Sequence, residues 1–245
     1  MNKVNMIMQA KGGCGKSLSA SILAQFLIAR FQDENKKLLV VDIDQENPTL
    51  SQYKALNVLK VSVMGEGRAI DPKMFDTLMM NIVEFDGDVV LDTGANTFSA
   101  LMAYIIENSV FDVIKESGKE VIIHTVVGGG DVLYDTANGF ADIASYVTGN
   151  MVLWQNEHFG EMRAISGVAF ADSKVLLENK GKLIGEVILQ KRTAATFGAD
   201  VNKMTSMRLT FDEVDASTSF NFMERNRLKI VRKDMFDQLG SIAGL

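Results

Sequence analysis

Apolar residues along this chain fall into two alternating patterns. Short, mostly apolar runs recur at Val4 to Met8, Leu38 to Val41, Val89 to Leu91, Val121 to Val127, Met151 to Trp154 and Ile184 to Leu189. Such runs suit strands buried on both faces of a parallel sheet. Between them, apolar residues return at helical spacing, as Ile22, Leu23, Phe26 and Leu27 do after the first run. Further helical segments are expected from Asn96 to Ser117 and from Asp131 to Val147. Alternating strands and helices predict an α/β fold, a three-layer arrangement with a mostly parallel central sheet and helices on both faces. Val58 to Met64 alternates through Lys60 and Ser62, the mark of a half-exposed edge strand. Asp33 to Lys37 reads as a polar turn, and Asp71-Pro72 as a helix start with Asp at the cap. From Thr210 the pattern gives two helices, Phe211 to about Asp215 and Phe220 to Leu239.

Composition adds bounds to this picture. At 245 residues with 2 prolines and no linker-like run, residues 1–245 are expected to form one domain. A formal charge of −6 argues against a chain that coats nucleic acid over its whole surface, though a local basic patch remains open. The single Cys14 excludes an intrachain disulfide and, with only His124 and His158, a Cys/His metal site. There is no charged leader before an apolar segment, and no apolar run of the roughly 18 residues that span a bilayer. A soluble protein in a reducing cytoplasm is expected.

Specific chemistry enters at Lys11-Gly-Gly-Cys-Gly-Lys-Ser17, between the first strand and the first helix. Gly12, Gly13 and Gly15 permit backbone conformations that aim amide N–H groups at an anion. The helix beginning near Lys16 adds its unpaired N–H groups and a partial positive charge. Lys16 would reach the β- and γ-phosphates, and the Ser17 hydroxyl would ligate Mg²⁺. A glycine-rich turn with a stray lysine is the bland alternative, and the register with strand and helix argues against it. The usual loop string begins with Gly where this chain has Ala10.

Carboxylates stand at the ends of two later strands. Asp42 and Asp44 follow Leu38 to Val41, and Asp92-Thr-Gly94 closes Asp88-Val-Val-Leu-Asp92. Ligands of open parallel sheets bind beyond the strands' carboxyl ends, so these groups share an edge with the glycine loop. An apolar strand ending in Asp92 is the Walker B arrangement for holding Mg²⁺, with Gly94 beside the nucleotide. Asp44 or Asn47 could also cap a short helix near Pro48, and Asn47 is the preferred cap. Gly128-Gly-Gly130 reads as a flexible turn at the ligand edge, and His124 as a core histidine. Asn202-Lys-Met-Thr205 lacks the aspartate of guanine-specific loops, which favours ATP. The helix from Phe220 carries Arg225, Arg227, Lys229, Arg232 and Lys233. It reads as a terminal helix packed on the sheet with a solvated basic face, in preference to a membrane-surface element.

With Lys11 ahead of the glycine pair, the loop resembles the deviant Walker A motif of the MinD/ParA group of P-loop ATPases. The whole chain resembles the TraL family of plasmid conjugal-transfer proteins within that group. The likeness rests on Gln9 to Ser17, Tyr53 to Val58, His124 to Gly129 and Arg227 to Arg232. Cys14 departs from the Val usual in such loops, where only its backbone N–H need face phosphate. The resemblance implies a P-loop NTPase fold and a weak Mg-ATPase switch in which ATP drives homodimerisation. Lys11 would act across the dimer on the partner's phosphates, Asp44 would orient the attacking water, and Asp42 and Asp92 would hold waters around Mg²⁺. Asn156 would pair with adenine, as the corresponding Asn does in such proteins. A protein partner in the conjugative machinery follows, while direct DNA or membrane contact stays open, the latter placing the chain at the periphery of the inner membrane. Two other readings compete: a metabolic ATP-dependent enzyme related to dethiobiotin synthetase, and a nucleotide-binding scaffold with negligible turnover.

Overall fold

The computed structural model describes residues 1–32, 34–65, 69–164 and 166–245. Seven strands form one sheet: β1 (Asn2–Ile7), β2 (Leu38–Asp42), β3 (Leu59–Lys60), β4 (Asp88–Asp92), β5 (Lys119–Gly128), β6 (Met151–Asn156) and β7 (Leu183–Leu189). Their order is β3-β2-β4-β1-β5-β6-β7, and every neighbouring pair is parallel. Side chains alternate across it as the strand period requires. Val41, Leu91, Ile123 and Leu153 face one core, while Val40, Val90, Ile122 and Trp154 face the other.

Helices cover both faces. Phe75, Leu101, Ile114, Phe140 and Leu176 close the first core from α2 (Met74–Glu84), α3 (Ala95–Glu107), α4 (Val110–Glu116), α5 (Leu133–Ser145) and α6 (Lys174–Asn179). Leu23, Met204, Val214 and Met235 close the second from α1 (Lys16–Phe31), α7 (Ala199–Ser206), α8 (Phe211–Ala216) and α9 (Phe222–Gly240). The expected helix Asn96 to Ser117 is thus two, bent by 65° at a break where Ser109 adopts a φ of 50°. Among the described residues no single helix is long and apolar enough to cross a membrane.

Three local expectations need correction. The edge strand is only Leu59–Lys60, exposed at both residues. Helix α2 starts at Met74, because Asp71 spends its carboxylate on the Lys73 N–H (3.0 Å) in the turn before it. The Gly128-Gly-Gly130 turn is tightly packed rather than loose: a Cβ on Gly129 would lie 2.2 Å from the Gly160 carbonyl oxygen. Asp33, where the first polar turn was expected to begin, lies outside the described residues.

The terminal helix packs as expected. Asn221 and Glu224 form a capping box at its start, and Leu228, Val231, Met235 and Leu239 are buried. Its basic face is ion-paired: Arg227 with Asp200, Lys229 with Asp215 (3.4 Å) and Arg232 with Asp212 (3.1 Å). Phe222, at the start of the helix, is 79% exposed.

His124 is a core residue. The Trp154 indole N–H donates to its Nδ1 (3.1 Å), so Nε2 carries the proton toward Asn5 Oδ1 (3.1 Å). Burial holds its pKa down at about 3.

Candidate functional site

The phosphate loop leaves β1 at the centre of the sheet. Gly13 and Gly15 have φ values of 70° and 112°, conformations that disfavour any side chain. Gly15 is doubly constrained, since a Cβ there would meet Asn156 Nδ2 at 2.7 Å. Immediately after it, α1 begins at Lys16 with no side-chain cap, leaving first-turn N–H groups for an anion.

Strand register brings the carboxylates to this loop. Asp42 pairs with Asp92 across β2 and β4, and Asp92 with Ile7 across β4 and β1. A cavity of ≈ 490 Å³ opens over that edge, lined by Gly12, Gly13, Gly15, Lys16, Ser17 and Asp44, with Glu46, Asn47, Thr49 and Asn96 among its other walls. Six of the residues expected at the site therefore face one cavity.

The remaining expected residues sit below or beside it. Among the described residues neither oxygen of the buried Asp92 accepts a hydrogen bond of normal geometry, although the Ser17 hydroxyl lies near enough to draw its pKa down; burial outweighs Ser17 and Lys16 and raises it to about 7. A buried, unsatisfied carboxylate is costly unless a cation or proton meets it. Asp42 is spent locally: Oδ1 accepts the Asp44 N–H and Oδ2 the Ser51 N–H, both at 2.9 Å. Burial lifts its pKa and these two amides oppose that. Gly94 lies against Asp44, where a Cβ would fall 2.8 Å from the carboxylate carbon.

Asn47 does not cap the turn after Pro48, contrary to the role expected of it; Asp42 reaches that turn instead, through the Ser51 N–H. That turn is a 3₁₀ segment at Leu50–Gln52. Asp44 Oδ1 takes the N–H groups of Glu46 (3.0 Å) and Asn47 (2.9 Å), so the acids order the loop themselves.

Both lysines are engaged by the protein. Lys16 Nζ donates to the Lys11 carbonyl (2.9 Å), which Cys14 Sγ also approaches at 3.3 Å. Burial raises the Cys14 thiol's pKa, so the thiol form is favoured. Lys11 Nζ turns away to Asp135 on α5 at 2.7 Å, both side chains about half exposed. Asn156 donates from Nδ2 to the Cys14 carbonyl (2.9 Å) and accepts the His158 N–H (3.1 Å). One amide hydrogen and one lone pair of Asn156 remain uncommitted.

The sequence carries no signal for Asp135, which reaches Lys11 from α5, or for Asn96, which lines the cavity from α3. Gln9 stands inside the stretch Gln9 to Ser17 that carries the family likeness, but its packing role is not visible there.

The donor set fits Mg²⁺. Among the described residues no three His, Cys, Asp or Glu side chains converge as a metal cage. Mg²⁺ is characteristically held by one or two protein oxygens, waters and phosphates. Ser17 at the cavity, with the Asp92 oxygens buried at the same strand edge, meets that requirement.

Fold and loop together define a P-loop NTPase. A plasmid partition protein from Borrelia burgdorferi, solved bound to AMPPNP, shares the architecture with a TM-score of 0.53 over 98% of each chain, at 13% identity. No protein-family model matches the chain. Two Escherichia coli proteins named TraL match it end to end, at 39% and 38% identity over 247 residues and 100% of each chain. The chain belongs to the TraL family.

Proposed function

We propose that this chain is a Mg-ATP-dependent dimerising switch that serves plasmid conjugal transfer. One observation carries the reading: Lys16, Ser17 and Asp44 line one cavity at the strand edge where Asp92 is buried, its oxygens without a well-formed hydrogen bond among the described residues. The bound AMPPNP of the Borrelia protein agrees with it, as a property of that protein.

Each residue then has a task. Backbone N–H groups of Gly12, Gly13, Cys14 and Gly15 cradle the phosphates, and Lys16 exchanges the Lys11 carbonyl for phosphate oxygens. Bound Mg²⁺ would neutralise β- and γ-phosphate charge, held by Ser17 with Asp92 and Asp42 through water. Asp44, fixed by two backbone N–H groups on one oxygen, keeps the other to orient the attacking water. Gly94 leaves room beside it. Asn156 braces the loop and offers its remaining amide hydrogen and lone pair to adenine. Lys11, at the rim, reaches the phosphates of a second copy; a cation delivered in trans is worth ~10³ to 10⁵ in rate, so isolated chains turn over slowly.

A cytoplasmic site of action, at most peripheral to the inner membrane, fits such a switch, as does a protein partner in the transfer machinery. Lys16→Ala tests the base of the proposal. ATP affinity by calorimetry should fall at least ~100-fold, the cost of losing a charge-assisted phosphate contact of about 3 kcal/mol. Unchanged affinity refutes the phosphate role.

A further inference from the structure

Gln9 is fully buried immediately before the loop, and the phosphate chemistry leaves it without a task. Its amide nitrogen donates to the Val126 carbonyl of β5 (2.9 Å) and the Thr136 carbonyl of α5 (3.0 Å). Its Oε1 faces the Lys11 N–H at 3.4 Å. Helix α5 receives this side chain at Gly139, where a Cβ would stand 2.0 Å from Oε1.

The glycine is informative because its backbone does not ask for it. Gly139 is absent from the glycines with positive φ and lies inside α5, where alanine is the better helix former. What excludes a side chain is Gln9. Asp135, which holds the Lys11 ammonium, lies one turn earlier on the same face of the helix. One side chain thus fixes the backbone on which Lys11 stands and the helix that carries its counter-ion.

We infer that Gln9 is a positioning residue for Lys11, seated in Gly139 so that α5 keeps Asp135 in register with the loop. The inference rests on the proposed task of Lys11 across the dimer for its functional meaning, but the contact itself is a property of one chain.

The experiment measures how fast an amine-reactive ester labels Lys11 in the nucleotide-free protein, by mass spectrometry, with exposed Lys174 as internal reference. Asp135→Asn sets the rate of a released Lys11. Gln9→Met keeps the length but removes both donors, and should recover at least about half of that acceleration with Lys174 unchanged. A folded Gln9→Met protein that labels Lys11 at the wild-type rate overturns the inference. Gly139→Ala, made in wild-type and Gln9→Ala backgrounds, supplies the second arm. It should lower the melting temperature by roughly 5 °C or more, or prevent folding, in the first background, and be neutral or stabilising in the second. Equal shifts in both backgrounds also overturn it. Labelling is read without nucleotide, so its result is separate from whether the chain dimerises.

Discussion

At the scale of single residues, burial and partner count separate structural from chemical polar groups. His124 is buried and partnered on both nitrogens, so it stays neutral while the unfolded chain protonates. Its folded pKa lies below the unfolded one, so stability is complete above about pH 6.5 and falls as pH drops toward 3. The slope is about 1.4 kcal/mol per pH unit. Denaturant unfolding of His124→Gln between pH 6.5 and 4 should show that slope reduced by one proton; an unchanged slope contradicts a neutral core imidazole. Asp92 is the opposite case, buried without a well-formed hydrogen bond among the described residues and raised to about 7 by that burial. Such a carboxylate favours folding only when protonated, so it opposes stability as pH rises from about 4 through 7. Asp92→Asn should therefore stabilise the nucleotide-free protein at pH 8 by ~1–2 kcal/mol while weakening Mg-dependent nucleotide binding. A variant less stable than wild type at pH 8 refutes the unpaired-charge account. Lys11 to Ser17, Asp42, Asp44 and Asp92 were all legible in sequence, because each stands in a strand-end motif. Asp135 was not, since its meaning depends on α5 lying beside the loop.

At the scale of elements, strands were read more faithfully than helices. Long apolar runs such as Val121 to Val127 identify themselves, whereas α6 and α7, of 6 and 8 residues, are too short to show a helical period. The helix start at Met74 shifted from expectation because Asp71 spends an oxygen on the Lys73 amide before the helix, and the turn at Leu50 is met by Asp42, through the Ser51 N–H, in place of Asn47. The glycine turn after β5 illustrates the same limit. Its sequence announced flexibility, yet a Cβ on Gly129 or Gly130 would run into the backbone at Gly160 or Phe159. Gly129→Ala should cost ~2–3 kcal/mol by overpacking, while Gly149→Ala, with nothing within 4 Å, should be near neutral. Comparable losses at the two positions in chemical denaturation would dismiss the packing argument. Arg227, Lys229 and Arg232 of α9 meet acids from α7 and α8, so this part of its charge stabilises the helix's own seat more than it offers a surface.

At the scale of the whole molecule, the fold class followed from alternation alone, but the strand order did not. No local pattern says that β4 inserts between β2 and β1, and that insertion is what places Asp92 beside both Asp42 and the root of the loop. The site is thus a product of topology acting on motifs that are each incomplete. Lys11 remains outside its own cavity, on Asp135 at the rim, which suits a residue whose target is another molecule. Molar mass by light scattering with no nucleotide, ADP and Mg-ATP tests this most directly. The account predicts one chain in the first two conditions and two chains with Mg-ATP for the wild type, and one chain throughout for Lys11→Ala despite retained ATP binding. A wild-type chain that stays single at saturating Mg-ATP, or a Lys11→Ala chain that pairs as well as wild type, contradicts it.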